Sequence, residues 1–126
     1  MNTKRTGWIG EQAVKKDLLI DRGFQVYEPL VDDVGVDLVV DTGKSLKRVQ
    51  VKTRNQQKRQ TTSVEISLRK YVESNIDVIA IYYAPKDIIA YYPYNNEELI
   101  CLAVDTAKNN QESHRNWFYR YMEFPL

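Results

Sequence analysis

Short apolar runs separated by turn-forming residues set the pattern along this 126-residue chain. Strict alternation of apolar and polar positions predicts a half-buried strand, whereas a continuous apolar run predicts a strand buried on both faces. The run Val78–Tyr83 is of the second kind, and we predict that it forms a central strand. Alternation and flanking turn residues predict further strands over residues 24–29, 35–41, 46–53, 64–68, 88–92 and 99–104.

A helix is predicted over residues 6–22, ahead of all the strands. Thr6 has a side chain suited to the N-cap position, and Gly23 suits the residue that ends a helix. Glu11 shares one helical stripe with the apolar residues three and seven positions further along. A carboxylate is therefore expected at the N-terminal end of a core-facing stripe, which is an unusual place for a charged group.

The connections between these elements predict the topology. Residues 35–41 and 46–53 are separated by a tight Asp-Thr-Gly turn, so they should form an antiparallel hairpin. Residues 54–63 are polar and lack periodicity, which predicts a loop, and residues 109–126 are expected to dock on the sheet as a helix or an irregular segment. A helix followed mainly by strands indicates an α/β or α+β sheet domain.

Composition adds limits to this picture. The chain length predicts one domain, residues 1–126, and the 43% apolar share is ordinary for a globular protein. Cys101 is the single cysteine, which excludes an internal disulfide and favours a reducing compartment. Its apolar surroundings in sequence predict that the thiol is buried. No run approaches the ~18 apolar residues of a membrane span, and no signal-type block follows the start. We therefore expect a soluble, cytoplasmic protein that does not contact a membrane.

Three polar side chains are predicted to share one face of the hairpin. Because strand side chains alternate between faces, Asp37, Gln50 and Lys52 point away from their aliphatic neighbours. One face then carries a carboxylate, an amide oxygen and an ammonium, which are the components of a metal site beside a base. This combination favours hydrolysis of phosphodiesters. The opposite face is predicted to carry Val36, Leu38, Val49 and Val51.

A basic stripe follows the same hairpin. Residues 44–59 contain seven Lys and Arg residues and no acidic residue, although the whole chain has a net charge of only +1. Positive charge beside an acidic site suits a polyanionic substrate. A solvated strand and loop would explain the stripe equally well.

The order of these parts is similar to that of a known group of enzymes. A helical Glu11, a strand Asp37 and a strand bearing Gln50 and Lys52 resemble the motifs of the PD-(D/E)XK nuclease superfamily. Within it, the chain most resembles the group I intron-encoded homing endonucleases of this fold that carry Gln at the (D/E) position. Val36 stands where the motif has Pro, and Gln50 stands where it usually has a second acid. The resemblance is carried by segments 10–13, 35–40, 48–53 and 76–93 and covers roughly residues 4–95.

The resemblance implies a restriction-endonuclease-like α/β core, with a mixed β-sheet flanked by helices. It also implies Mg²⁺-dependent, sequence-specific cleavage of double-stranded DNA, with Mn²⁺ expected to substitute for Mg²⁺. The metal ligands would be Asp37, Oε1 of Gln50 and the backbone carbonyl of Val51. Lys52 would orient or deprotonate the attacking water, or stabilise charge on the phosphate. Glu11 would bind a second metal, hold a water or position Lys52.

Each of these residues also has an ordinary structural explanation. Asp37 could be a surface acid on an edge strand, and Glu11 could simply favour the positive end of the helix dipole. The basic stripe and its loop could contact phosphates, while the loop amides could read base edges in the major groove. The residues expected to contact DNA are Lys47, Arg48, Arg54, Asn55, Gln56, Gln57, Lys58, Arg59 and Gln60.

Two further expectations concern assembly and the alternatives. Cutting both strands needs two sites, so a homodimer or homotetramer is expected. Seven clustered tyrosines suit either core packing or an oligomer interface. A Holliday-junction-resolvase-like nuclease stays open as an alternative, although those enzymes normally keep an acid where Gln50 stands. A catalytically inactive DNA-binding or assembly module of the same fold is the other alternative. The tyrosines are Tyr82, Tyr83, Tyr91, Tyr92, Tyr94, Tyr119 and Tyr121.

Overall fold

The computed structural model describes residues 3–31, 35–55, 62–105 and 115–126. Within these ranges the helix and strands are α1 (Thr3–Lys16), β1 (Gln25–Tyr27), β2 (Leu38–Asp41), β3 (Leu46–Arg54), β4 (Ser63–Ser67), β5 (Val78–Tyr83), β6 (Ile88–Pro93) and β7 (Leu99–Ala103). A π-helical turn covers Asp17–Asp21, and 3₁₀ turns cover Arg69–Tyr71, Ala84–Lys86 and Phe118–Tyr121.

β3 lies in the middle of a five-stranded mixed sheet with the order β1-β2-β3-β5-β6. It pairs antiparallel with β2 and parallel with β5, and β6 pairs antiparallel with β5. The predicted hairpin is confirmed, since Leu38 lies opposite Val49 and Asp41 lies opposite Leu46. Every residue of β5 is buried, as its continuous apolar run predicts for an interior strand with core on both faces.

One face of the sheet packs against α1. The stripe that begins at Glu11 continues through Val14 and Leu18, which are both fully buried. Strand alternation supplies the other half of this packing, because every second residue of β3 points toward the helix. We call this cluster the helix-side core; it contains Val14, Leu18, Leu38, Val40, Val49, Val51, Val78, Ala80, Tyr91 and Phe124.

The opposite face is covered by β4 and β7, which form a separate two-stranded antiparallel ribbon. A helix therefore flanks one face, as predicted, and the 3₁₀ turns lie beside the ribbon on the other. We call the second cluster the ribbon-side core; it contains Val36, Val64, Ile66, Leu68, Tyr71, Ile76, Ile79, Ile81, Tyr83, Ala90, Ile100, Leu102, Val104 and Phe118. Val36 was predicted to share a face with Leu38, and this is wrong because Val36 lies in the ribbon-side core, before the chain becomes a strand at Leu38.

The first helix starts and ends differently from the prediction. Thr6 lies inside α1 rather than at its N-cap, because the helix already includes Thr3. At the other end the chain widens into a π-helical turn, in which the Arg22 N–H bonds the Asp17 carbonyl at 2.9 Å. Arg22 Nε also donates to the Asp17 carboxylate at 2.8 Å. Gly23 then ends the helix as predicted, with a φ of +71° that favours glycine.

The predictions for Cys101 and the tyrosines have different outcomes. Cys101 is exposed, so its predicted burial is wrong: alternation along β7 turns it outward while its neighbours point inward. Six of the seven clustered tyrosines are buried or half-buried, whereas Tyr119 is exposed, which favours core packing. Tyr91 donates its hydroxyl proton to the Asp17 carboxylate. Burial and this neighbouring carboxylate raise the pKa of Tyr91, so the hydroxyl stays protonated.

Two predicted irregular regions are described only in part. Residues 56–61 of the loop and residues 106–114 near the tail lie outside the described ranges. In the described part, β3 continues to Arg54 and β4 begins at Ser63, so both ends of the predicted loop are strand. The tail docks as expected, with Phe118 in the ribbon-side core and Phe124 in the helix-side core. None of the described helices is long and apolar enough to cross a membrane.

Candidate active site

The candidate site lies where β3 extends past the beginning of β2. β2 starts at Leu38, which pairs with Val49, so the next residues of β3 have no β2 partner. Gln50 and Lys52 lie here on the ribbon-side face, about 6.6 Å apart along the strand. Their partners on β5 are Ile79 and Ile81. Gln50 and Lys52 therefore share one face of the sheet, as predicted.

Asp37 lies just before β2 and continues the hydrogen bonding to β3. Its backbone N–H donates to the Val49 carbonyl at 2.9 Å. Its carboxylate Oδ2 then accepts the backbone N–H of Val51 at 2.8 Å, so a side chain replaces the missing main-chain partner. A carboxylate bonded to a strand N–H lies near the plane of the sheet. Asp37 thus sits at the open edge of β3, beside Gln50 rather than above it.

The Gln50 amide is buried near the other peptide group of Val51, with only 8% of the residue exposed. Its Nε2 donates to the Val51 carbonyl at 3.2 Å, so Oε1 is turned away from that carbonyl. Oε1 itself has no hydrogen-bond donor among the described residues. A buried acceptor without a partner costs about 1–3 kcal/mol. A cation or an ordered water at this position would remove that cost.

The three candidate ligands meet at the peptide groups of one residue. In a strand, the N–H and C=O of a residue point toward the same neighbouring strand, so both groups of Val51 face the edge that β2 leaves open. Asp37 occupies the N–H and Gln50 contacts the C=O. Within the described ranges there is no cluster of three His, Cys, Asp or Glu side chains around one point. The set of one carboxylate and neutral oxygens suits Mg²⁺, which keeps several waters and needs few carboxylates.

Lys52 is held by a residue that the sequence did not single out. Its Nζ donates to the Tyr71 hydroxyl at 2.9 Å and lies 4.7 Å from the centre of the same ring. Tyr71 is 7% exposed and ends the 3₁₀ turn that follows β4. The contact joins residues 19 positions apart. No spacing or motif in the sequence signals such a pair.

Glu11 approaches the same strand from the other side of the sheet. It is half-buried on α1, one residue after Gly10. The helix comes very close to β3 at that point, since a Cβ on Gly10 would lie 1.7 Å from Oγ1 of Thr53. Thr53 shares the helix-side face with Val51. The structure therefore brings the part of α1 that carries Glu11 against Thr53 of the site strand.

The predicted DNA-contacting residues separate into four groups. Arg48 and Arg54 share the ribbon-side face with Gln50 and lie on either side of the site, about 20 Å apart along β3. Alternation places Lys47 on the helix-side face, away from them. Asn55 is exposed at the end of β3. The remaining predicted contacts lie outside the described residues: Gln56, Gln57, Lys58, Arg59 and Gln60.

Both arginines are oriented by main-chain carbonyls. Arg48 Nη1 donates to the Asn75 carbonyl at 3.3 Å. Arg54 donates to the Glu65 carbonyl at 3.3 Å and to the Thr53 carbonyl at 2.9 Å. Burial lowers the pKa of Arg54 from its ordinary value, but a guanidinium stays charged at neutral pH. The site strand therefore carries a fixed positive charge toward each end of its ribbon-side face.

Comparison with known proteins gives one family match and two similar solved structures. A family model described as PD-(D/E)XK endonuclease matches residues 1–124. No curated protein matches the chain. The solved structure of a bacterial homing endonuclease, I-Ssp6803I, is 26% identical, with a TM-score of 0.73 over 95% of this chain and 86% of that chain. The Holliday junction resolvase Hjc of the archaeal hyperthermophile Archaeoglobus fulgidus is 16% identical, with a TM-score of 0.48 over 77% of this chain and 83% of that chain.

Proposed function

Because this chain belongs to the PD-(D/E)XK endonuclease family, we propose that it is a Mg²⁺-dependent, sequence-specific endonuclease of the homing type that hydrolyses phosphodiester bonds of double-stranded DNA. One observation carries the proposal. Gln50 has a buried carbonyl oxygen without a donor among the described residues, and its amide contacts the same residue, Val51, whose N–H binds the Asp37 carboxylate. An oxygen left unpaired at this cost is explained when a cation or substrate water is its partner.

The homing type is supported by the likeness to a protein described as a bacterial homing endonuclease. That likeness covers 95% of this chain. A cation site made of one carboxylate and one amide oxygen also agrees with the resemblance to homing endonucleases that carry Gln at the (D/E) position. DNA is the substrate class that the family implies, and Mn²⁺ is expected to substitute because it accepts the same oxygen ligands.

The chain's own residues divide the work at the site. Asp37, Gln50 Oε1 and the Val51 carbonyl would hold the cation after the Gln50 amide rotates, so that Oε1 instead of Nε2 faces the Val51 carbonyl. When bound, Mg²⁺ would polarise the scissile phosphate and activate water as a nucleophile. Lys52 keeps two ammonium protons besides the one donated to Tyr71, and these can orient the attacking water or stabilise charge on the phosphate. Glu11 would act from the helix side, on a second cation, a water or Lys52.

Substrate binding would use the charges around the site. Arg48 and Arg54 would contact backbone phosphates on either side of the scissile bond, in addition to their carbonyl contacts. Phosphate contacts of this kind make affinity fall steeply with salt. Two copies of the site are required to cut a duplex, so we expect a homodimer or a homotetramer.

The test is cleavage by the purified protein of a large genomic library, of plasmid DNA and of a synthetic four-way junction. We expect discrete library fragments with Mg²⁺ or Mn²⁺ and none with EDTA. Cleavage of the junction alone would support a resolvase-like nuclease instead. Intact DNA in every metal condition, combined with measurable DNA binding in a gel-shift assay, would support a binding module and contradict the proposal.

The role of Gln50 has its own test, the substitution Gln50→Glu. A carboxylate at this position adds a charged oxygen at the same reach, so we expect Mg²⁺ affinity to be kept or raised. Without metal, the new carboxylate is a buried charge without a partner and loses the Nε2 hydrogen bond, which should cost about 3–5 kcal/mol of stability. Calorimetric titration with Mg²⁺ and thermal unfolding with and without Mg²⁺ measure the two effects.

The matched control is Gln25→Glu, which makes the same change on the exposed edge strand β1. It should change neither Mg²⁺ affinity nor the stabilisation that Mg²⁺ confers. Much weaker Mg²⁺ binding by the Gln50→Glu variant would remove Gln50 from the ligands.

A further inference from the structure

We propose that Tyr71 is a positioning residue for DNA cleavage, holding the Lys52 ammonium at the site through its hydroxyl oxygen. The proposal rests on the proposed function and assigns a role to a residue outside the family motif. It starts from the 2.9 Å hydrogen bond from Lys52 Nζ to Tyr71 Oη. A lysine side chain has a flexible stem of four carbons, so an ammonium without a fixed partner samples many positions. A single well-placed acceptor restricts Nζ to one of them before substrate arrives.

Tyr71 can restrict Lys52 because its own ring is fixed. It packs in the ribbon-side core and is 7% exposed. Its backbone N–H donates to the Leu68 carbonyl at 2.9 Å, and its carbonyl accepts the Ser74 N–H at 2.8 Å. The hydroxyl is therefore attached to a buried ring on a hydrogen-bonded turn, and it reaches Lys52 on the site strand.

The ring also contacts the approach to Asp37. Gly35 lies against it so closely that a Cβ would be 2.9 Å from Tyr71 Cε1. Gly35 has a φ of +77°, which also favours glycine. The segment that delivers Asp37 and the side chain of Lys52 thus rest on the same tyrosine. One ring sets the position of the acid's backbone and of the ammonium together.

A tyrosine suits this task chemically. Its hydroxyl oxygen accepts a hydrogen bond from the ammonium without adding a negative charge that would oppose the approach of phosphate. The Tyr71 O–H remains a donor and can point toward water or a phosphate oxygen at the same place. Tyr71 therefore orients Lys52 while leaving the cation's charge for the substrate.

The test is Tyr71→Phe, which removes the hydroxyl and keeps the ring against Gly35. We expect the single-turnover cleavage rate at saturating DNA to fall about 10-fold to 100-fold, because Lys52 is no longer fixed. DNA affinity and melting temperature should stay close to wild type. In a Lys52→Met background the same change should have no further effect on rate. Tyr83→Phe is the matched control, since Tyr83 belongs to the same core and its hydroxyl has no partner among the described residues.

A second readout does not depend on cleavage. Carbon-13 relaxation of labelled lysine should show greater mobility of the Lys52 side chain in Tyr71→Phe than in wild type or in Tyr83→Phe. If wild type leaves all DNA intact, the proposed function fails, and the relaxation data still show whether Tyr71 holds Lys52. If wild type cleaves and Tyr71→Phe cleaves equally fast, or if Lys52 mobility is unchanged, the positioning role is wrong.

Gly35→Ala supplies a variant that moves the ring rather than the hydroxyl. The added Cβ must displace Tyr71, so we expect a loss of rate similar to that of Tyr71→Phe. Gly23→Ala is its matched control, because Gly23 has a φ of +71° but open space where the Cβ would lie. Both variants carry the same backbone strain, so a loss of cleavage rate in both, to an equal extent, would assign the effect to strain and contradict the positioning role.

Discussion

Asp37→Asn is expected to reduce DNA cleavage at least about 1,000-fold, which corresponds to about 4 kcal/mol of transition-state stabilisation. The substitution removes the only charged oxygen among the three candidate ligands and keeps the shape of the side chain. The amide oxygen of Asn can still accept the Val51 N–H that Asp37 accepts at 2.8 Å. Stability should therefore change little, and the loss should appear in Mg²⁺ binding and in cleavage rate. Single-turnover cleavage over a range of Mg²⁺ concentrations measures it.

The matched control for this experiment is Asp41→Asn on the same strand. Asp41 also accepts a backbone N–H, from Gly43 at 2.8 Å, but it lies in the turn at the far end of β2. Its replacement should leave cleavage within about twofold of wild type, since surface hydrogen bonds have small effects. An Asp37→Asn variant that cleaves as fast as the Asp41→Asn variant would remove Asp37 from the site.

Lys52→Met is expected to lower the cleavage rate by about 100-fold to 1,000-fold, because a positioned cation or proton carrier contributes effects of this size. Methionine keeps the apolar stem that packs beside Tyr71 and removes the charge. DNA affinity should fall much less than the rate, since the remaining basic residues still contact phosphates. Separate measurement of DNA affinity and single-turnover rate distinguishes the two effects.

Two further variants make the Lys52 result specific. Lys70→Met is the matched control, because Lys70 Nζ lies 5.3 Å from the centre of the same Tyr71 ring and is exposed. It should cleave like wild type. Lys52→Arg keeps a positive charge that does not deprotonate in proteins. Substantial activity in Lys52→Arg would indicate that Lys52 acts as a cation, whereas a loss equal to that of Lys52→Met would favour the transfer of a proton.

The sheet could be predicted from sequence because its signals are local. The continuous apolar run of β5 and the short turn between β2 and β3 each fix a strand or a pairing without reference to distant residues. The same local argument gives Gln50 and Lys52 a common face of β3. The resemblance to the PD-(D/E)XK nucleases adds the family, and the match over residues 1–124 confirms it.

Local signals were misleading where a distant contact decides the outcome. Cys101 follows an apolar run, yet pairing with β4 sets the face on which it lies, opposite Glu65. At the π-helical turn that ends the helix, Arg22 and Tyr91 both bind the Asp17 carboxylate, and Tyr91 is 74 residues away. Periodicity in sequence contains no information about such partners.

The candidate site shows the same division. The residue types of Asp37, Gln50 and Lys52 could be chosen from the motif and its order. Two features of the site are visible only in the three-dimensional structure. The Asp37 carboxylate accepts the N–H of Val51, and Gln50 Oε1 is buried without a donor among the described residues. Tyr71 could not be found at all, because its link to Lys52 depends on how β4 and the 3₁₀ turn fold back over the ribbon-side face.

The central position of β3 has a consequence for how the molecule fluctuates. β3 pairs with β5 from Val49 to Arg54 and is covered by two cores, and the Asp37 carboxylate takes the place of β2 at Val51. A strand held in this way is freed only in rare, nearly global opening events, whereas strand ends and short turns open often and locally. The oxygens of Gln50 and Val51 therefore belong to the slowest-opening part of the chain. Arg54 and Asn55, at the end of the strand, belong to a faster-opening part. DNA would meet a chemical centre whose geometry exists before binding, bordered by segments that can still adapt to the path of the duplex.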